Sequence, residues 1–266
     1  MPSEKNGKVA LVTGASGGIG REIAEILLMK GYDLLLVARS LGKLEELRKK
    51  FKLIASDQTV TVLRADLSHS ESPKMIFDFA NDRNISVDIL VNNAGFGISG
   101  GIDEYSEEDL LKMILLNIFS LTALCKHFSP QMKEKRSGNI LNIASIGGYQ
   151  PVPYLAAYAA SKSYVLNFSD AIAMELKDYG VSVSCYSPGL TDTQFFDRAD
   201  IDENNNFYAK KMRVSPKDVA QDAVEMMLRG KLSSIYGLKN NVLAFLTQIT
   251  PSRNIIARIT KKIVTK

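Results

Sequence analysis

Cysteine, histidine and tryptophan are scarce in this chain of 266 residues: two, two and none. Cys125 and Cys185 lie far apart and form no CxxC pair, so neither a disulfide framework nor a cysteine zinc site has support. Both are expected to be reduced and packed in the core of a cytoplasmic protein. His69 and His127 show no metal-ligand spacing and there is no HExxH, so no metal is expected and both read as structural or surface residues. Long apolar runs are also missing. No stretch reaches the roughly 18 residues needed to span a bilayer, and the polar start MPSEKNGK lacks a signal-peptide pattern. No charge sign dominates, because 33 Lys and Arg stand against 29 Asp and Glu. The net charge of +4 is spread along the chain except for a basic C-terminal end, so a nucleic-acid partner is not expected. A hydrophobic fraction of 45% and a charged fraction of 23% are ordinary for a globular protein with a sizeable core. The length fits one α/β domain.

Short apolar runs alternate with helical text along the chain. Runs at 9–12, 34–37, 60–63, 87–91, 138–143 and 181–186 read as strands. Segments 20–30, 41–51, 73–80, 107–128, 155–178 and 216–229 read as helices, the last opened by Ser215-Pro216. Strands alternating with helices imply parallel pairing through crossovers, and near-continuous apolar runs fit strands covered on both faces. The expected fold is a Rossmann-type doubly wound α/β sheet in a single domain, with its ligand beyond the carboxyl ends of the strands at the switch point. The catalytic domain is expected to cover 1–237, with a substrate loop at about 190–213. Phe195, Phe196 and Phe207 in that loop fit either an apolar ligand or core packing.

The first strand runs into Thr13-Gly14-Ala15-Ser16-Gly17-Gly18-Ile19-Gly20, which opens a helix. Glycines let a backbone approach a pyrophosphate closely, and a helix start offers free N–H groups and partial positive charge. Gly14, Ser16, Gly18, Ile19 and Gly20 are therefore expected cofactor contacts, although the spacing is not GxGxxG. The second strand ends Ala38-Arg39, where an acid would bind a ribose 2′-hydroxyl and an arginine would accommodate a 2′-phosphate. Arg39 thus points to NADP(H). Asp66, after the third strand, either touches the adenine edge or caps the next turn.

With these pieces the chain resembles the short-chain dehydrogenase/reductase family over roughly residues 7–230. The matching text is TGASGGIG at 13–20, Asn92-Asn93-Ala94-Gly95, Asn117, Ser145, Tyr158-Ala159-Ala160-Ser161-Lys162 and Pro188-Gly189, in the family's order. The text is nearest the branch holding ketoacyl reductases and hydroxysteroid-type enzymes. The resemblance implies a proton donor at Tyr158, its activator at Lys162, a substrate-orienting hydroxyl at Ser145 and a water-anchoring amide at Asn117. It places Asn92 and Gly95 on the adenosine side, and Pro188, Gly189 and Thr193 beside the nicotinamide. It also implies a homodimer or homotetramer paired through the helices at 107–128 and 155–178.

The chemistry is self-consistent. Hydride arriving at a carbonyl carbon leaves negative charge on oxygen, which a nearby acid must quench. A phenol has a pKa near 10, and an adjacent positive lysine favours its ionised form. Tyr158 and Lys162, four residues apart, share one face of a helix. The expected function is NADP-dependent hydride transfer on a small-molecule carbonyl or alcohol substrate. The alternative is a non-catalytic NADP-sensing protein of the same fold, which would not need the Tyr158 and Lys162 pair. Residues 238–266 form a basic amphipathic tail that fits either weak membrane-surface association or packing on a neighbouring subunit.

Overall fold

Seven parallel strands form one sheet in the order β3-β2-β1-β4-β5-β6-β7. The structure, a computed structural model, describes residues 3–191, 214–250 and 252–264. The strands are β1 (Val9–Thr13), β2 (Asp33–Ala38), β3 (Val60–Arg64), β4 (Val87–Asn92), β5 (Gly138–Ile143), β6 (Val181–Ser187) and β7 (Ser233–Ile235). The chain builds outward from β1 through β2 to β3, returns to lay β4 on the other side of β1, and continues outward to β7. That reversal between β1 and β4 is the switch point of a doubly wound sheet, and a crevice opens there at the carboxyl ends of the strands.

Helices cover both faces. They are α1 (Gly18–Met29), α2 (Leu41–Ile54), α3 (Ser72–Asp82), α4 (Glu107–Ile114), α5 (Leu121–Glu134), α6 (Ala156–Lys177), α7 (Pro216–Leu228), α8 (Leu238–Ile249) and α9 (Arg253–Val264). Alternate strand residues feed two separate cores. Ala10, Val12, Leu34 and Leu36 join Ile23, Leu27, Phe51, Val224 and Met227 on one side. Leu11, Leu35, Val37 and Leu90 join Ile76, Leu124, Phe128 and Val165 on the other. The period of two therefore survives inside strands that read as continuous apolar runs, because both faces are dry.

Three differences from the sequence reading concern extent and shape. The helix expected at 107–128 runs on to Glu134 and is interrupted by a π-helical turn, Leu115–Ser120. Strand β7 has only three residues and sits at the sheet edge, so it carried no apolar signal. The segment from 238 onward is two helices, α8 and α9, held against the chain between Tyr149 and Pro151. No helix among the described residues is long and apolar enough to cross a membrane.

Candidate active site

The glycine-rich loop is shaped by contacts that no side chain could share. Gly14 and Gly18 have φ of 65° and 53°, in the left-handed region that favours glycine. A Cβ on Gly20 would lie 2.5 Å from the Gly14 carbonyl oxygen and 2.4 Å from Asn93 Nδ2. Helix α1 can therefore start against the loop only because residue 20 is glycine. Asn93 holds the loop from the opposite strand, its Nδ2 donating to the carbonyls of Thr13 (3.0 Å) and Gly14 (3.4 Å). Thr13 Oγ1 accepts from the backbone N–H groups of Asn93 (3.0 Å) and Ala94 (3.1 Å). Gly17, the residue before α1, has open space where a Cβ would be, so the backbone at the helix start is approachable. Ser16 and Gly18 are half-buried on the same turn, and Ile19 packs its side chain on the core.

Ala15 N–H donates to Val37 O at 3.2 Å, which ties the loop to the end of β2. Arg39 follows directly and is exposed. Across from it, Asp66 Oδ1 accepts from Ser68 N–H (3.0 Å) and Ser68 Oγ (2.7 Å). Burial acts to raise the Asp66 pKa, but the Ser68 bonds and the Arg39 charge outweigh it and hold the group below its usual value. Asp66 thus caps its own turn and also sits within the field of Arg39.

Asn92 does not turn toward the loop. Its side chain is buried, with Nδ2 donating to Asn142 Oδ1 at 2.9 Å and to Cys125 Sγ at 3.3 Å. Asn142 in turn donates to Ser169 Oγ at 2.9 Å. This polar chain pins β4 to β5 and α6. The side chain on the cofactor loop belongs to Asn93, which sequence reasoning passed over in favour of its neighbour. A Cβ on Gly95 would stand 3.1 Å from Asn117 Oδ1 and 3.4 Å from Lys162 Nζ, so this glycine borders the lysine and leaves little room for a side chain.

Asn117 is buried in the π turn. Its Nδ2 donates to Phe96 O at 2.9 Å and to Ser161 Oγ at 3.1 Å, while its Oδ1 accepts from Phe96 N–H at 3.2 Å. A π turn adds a residue to the helix and redirects one side chain, a device common at functional sites. Here it presents the amide between the 93–96 loop and α6.

Tyr158 and Lys162 stand one turn apart on α6. Lys162 is buried, and its Nζ donates to Ile143 O at 2.9 Å, at the end of β5. The ammonium lies 5.9 Å from the Tyr158 ring centroid. Burial lowers the Lys162 pKa to about 8. Burial pushes the Tyr158 phenol up to about 12, against the lowering effect of a hydrogen bond with Ser145. The expected lowering of the phenol by the lysine does not appear in the protein itself. The ammonium is spent on a carbonyl, and desolvation of the phenolate is the larger effect. Ser145 lies two residues beyond β5, where its Oγ accepts from Gly147 N–H at 3.1 Å. Pro188 and Gly189 follow β6, and Pro188 O accepts from Ile146 N–H at 3.0 Å. Thr193, Phe195, Phe196 and Phe207 lie outside the described residues.

The arrangement brings together a proton donor, a hydroxyl that bonds it, a buried amine and an anchored amide at the ends of β4 and β5. The glycine loop lies one strand away, after β1. A phenol kept protonated beside a second hydroxyl can give a proton to an oxygen placed between them.

Known proteins carry the same text and shape. The family profile described as short chain dehydrogenase matches residues 8–204. The diacetyl reductase [(S)-acetoin forming] of Staphylococcus epidermidis is 34% identical over 73% of this chain and 75% of its own. A 3-ketodihydrosphingosine reductase of Bacteroides thetaiotaomicron is 30% identical over 92% of this chain and 88% of its own. Among solved structures, a short-chain dehydrogenase from Sphingobium yanoikuyae in complex with NADPH superposes with a TM-score of 0.81. It is 28% identical, and the match covers 92% of this chain and 97% of that one. With the fold, the loop and the Tyr158 and Lys162 pair in place, the chain belongs to the short-chain dehydrogenase family and is an oxidoreductase acting on carbonyl or alcohol groups.

Proposed function

We propose that this enzyme reduces a small-molecule ketone with NADPH, with Tyr158 as proton donor. The observation that carries the reading is the convergence of Ser145, Tyr158, Lys162 and Asn117 beside the glycine loop at the switch point. When bound, the cofactor supplies the hydride. The chain's own residues do the rest. Ser145 and Tyr158 share the substrate oxygen, and Tyr158 gives its proton to that oxygen as charge develops there. Burial keeps the phenol protonated at neutral pH, which is the donor form. Lys162, held by Ile143 O, places positive charge behind the ring and stabilises the phenolate left after transfer. Asn117 fixes the 93–96 loop to α6 and anchors the route by which the proton is replaced.

The glycine positions fit a dinucleotide. The backbone at Gly17 is open, and the helix start carries no acid in its first turn, so an anionic pyrophosphate meets no opposing charge. Gly14, Ser16, Gly18, Ile19 and Gly20 would hold it. Asp66 and the backbone from Asn92 to Gly95 would lie along it, and Pro188, Gly189 and Thr193 would meet the nicotinamide end. Exposed Arg39 supports the choice of NADPH, as does the NADPH bound by the Sphingobium enzyme. The same reading puts residues 1–237 in the catalytic unit, with 190–213 over the substrate. It pairs copies through the helices from α4 to α6, where exposed Leu111 of α4, Phe119 of the π turn, and Tyr164 and Met174 of α6 support an interface. Two buried free thiols fit a reducing compartment, the cytoplasm.

The test is oxidation of NADPH and of NADH by the purified enzyme against a panel of aliphatic, cyclic and acyl ketones. The expected result is turnover of at least one ketone class with NADPH favoured. Tight NADPH binding with no turnover of any carbonyl or alcohol would support the sensor reading instead.

A further inference from the structure

Helix α8 is amphipathic the wrong way round for a core helix. Its inward stripe is Asn240, Ala244 and Thr247, small or polar residues at helical spacing. Most of its outward residues are apolar, including Phe245 at 60% exposure and Ile249 at 58%, beside exposed Lys239, Asn241 and Gln248. Helix α9 repeats the theme. Ile256 and Thr260 face in, while Ile255 and Ile259 are about half exposed. Contiguous exposed apolar area of this kind marks an interaction surface.

Charge identifies what the surface meets. From residue 226 to 266 there are eight Lys and Arg and no Asp or Glu. Arg253, Arg258 and Lys262 are exposed on α9 beside the apolar residues. A second copy of this chain, docked face to face, would set the same basic surface against itself with no acid in the segment to answer it. An anionic bilayer meets both demands, taking the apolar side chains into its interface and the cations at its headgroups.

The surface is joined to the reaction centre. Thr247 Oγ1 donates to Tyr149 O at 3.4 Å, and Thr260 Oγ1 donates to Pro151 O at 2.9 Å. Asn240 lies so near Gly189 that a Cβ there would stand 2.4 Å from its Nδ2. The helix pair is thus braced on the segments that follow Ser145 and Pro188. We propose that α8 and α9 dock on an anionic membrane surface and hold the mouth of the site there, so that the enzyme takes its carbonyl substrate from an amphiphile in the interface. The substrate part rests on the function proposed above, whereas the docking part does not.

Co-sedimentation of the full chain with phosphatidylcholine vesicles, with and without phosphatidylglycerol, tests the docking. Binding is expected to the anionic vesicles and to fall with added salt. Phe245→Ser/Leu246→Ser/Ile249→Ser should abolish it. Arg258→Ser/Lys262→Ser should weaken it by roughly tenfold or more, given about fivefold per cation near such a surface. Both variants should keep the wild-type melting temperature and NADPH affinity, because every changed side chain is exposed. No binding to anionic vesicles, or binding unchanged in the triple variant, overturns the proposal. So does a wild-type oligomer whose mass falls in the triple variant without vesicle binding, which would make this a contact between copies. The substrate arm compares a long-chain ketone carried in the vesicles with a water-soluble ketone. The triple variant should lose at least about tenfold on the first, matching its lost binding, and nothing on the second. Equal loss on both overturns this arm, and inactivity of the wild type on both strikes at the proposed function while leaving the docking result standing.

Discussion

Lys162 carries the largest electrostatic cost in the site. Its buried ammonium has a pKa near 8, against 10.5 for a solvated lysine. Below about pH 8 the group is charged in both folded and unfolded chains, and the folded state bears the full cost of burial. Between about 8 and 10.5 the unfolded chain holds the proton and the folded chain has released it, so stability rises with pH. Lys162→Met should therefore lose ground to the wild type across that window, by up to roughly 3 kcal/mol. Urea unfolding at stepped pH values checks this, and parallel stability curves for the two proteins would count against a buried charged lysine. Arg39 sets the cofactor prediction. Charge-assisted hydrogen bonds contribute about 1.5–3 kcal/mol, or roughly ten- to a hundredfold in affinity. Arg39→Ala should raise KM for NADPH by that order and hardly change KM for NADH. Steady-state kinetics with both cofactors reads it directly, and a variant that keeps the NADPH preference would remove Arg39 from the role.

Among the elements, the junction of β1, α1 and the β4 loop bears the most constraint. Gly20→Ala would drive a methyl group into the Gly14 carbonyl and the Asn93 amide. Overpacking of this kind costs about 1–3 kcal/mol. The loop must open to relieve it, so the loss should appear chiefly in cofactor affinity. Calorimetric titration with NADPH should show a Kd weaker by roughly fivefold to a hundredfold, consistent with that energy, and an unchanged Kd would mean the loop does not hold the cofactor. The five central strands were legible because both faces of each are buried, which turns them into apolar runs bounded by turn residues, and edge strand β3 still carries an apolar, largely half-buried run. Strand β7 was not, because Ser233, Ser234 and Ile235 are exposed or half-exposed at an edge. The π turn left no periodic trace either, since Asn117 is one polar residue in an otherwise helical run. Tyr158 and Lys162 were legible as a pair from their spacing. The part played by Asn93 was hidden because two adjacent asparagines are equivalent until the strand end decides which one faces the loop. The apolar and basic residues from 238 onward showed an amphipathic segment, but only the packing revealed which side faces inward.

For the molecule as a whole, a doubly wound sheet accounts for the position of the site, and the residues at its strand ends account for the chemistry. The cofactor loop and the proton donor lie on opposite sides of the β1–β4 switch point, so binding and turnover should be separable by mutation. Tyr158→Phe makes the separation cleanest, because the ring still packs and only the transferable proton is removed. The measurement is the turnover number of this variant with NADPH and a ketone that the wild type reduces, beside its NADPH affinity from fluorescence titration. An acid catalyst supplies about 10²–10⁴ in rate, so the account predicts a loss of at least a hundredfold in kcat with Kd for NADPH unchanged within about a factor of two. A variant that kept more than about a tenth of wild-type kcat, far above what that range allows, would contradict it.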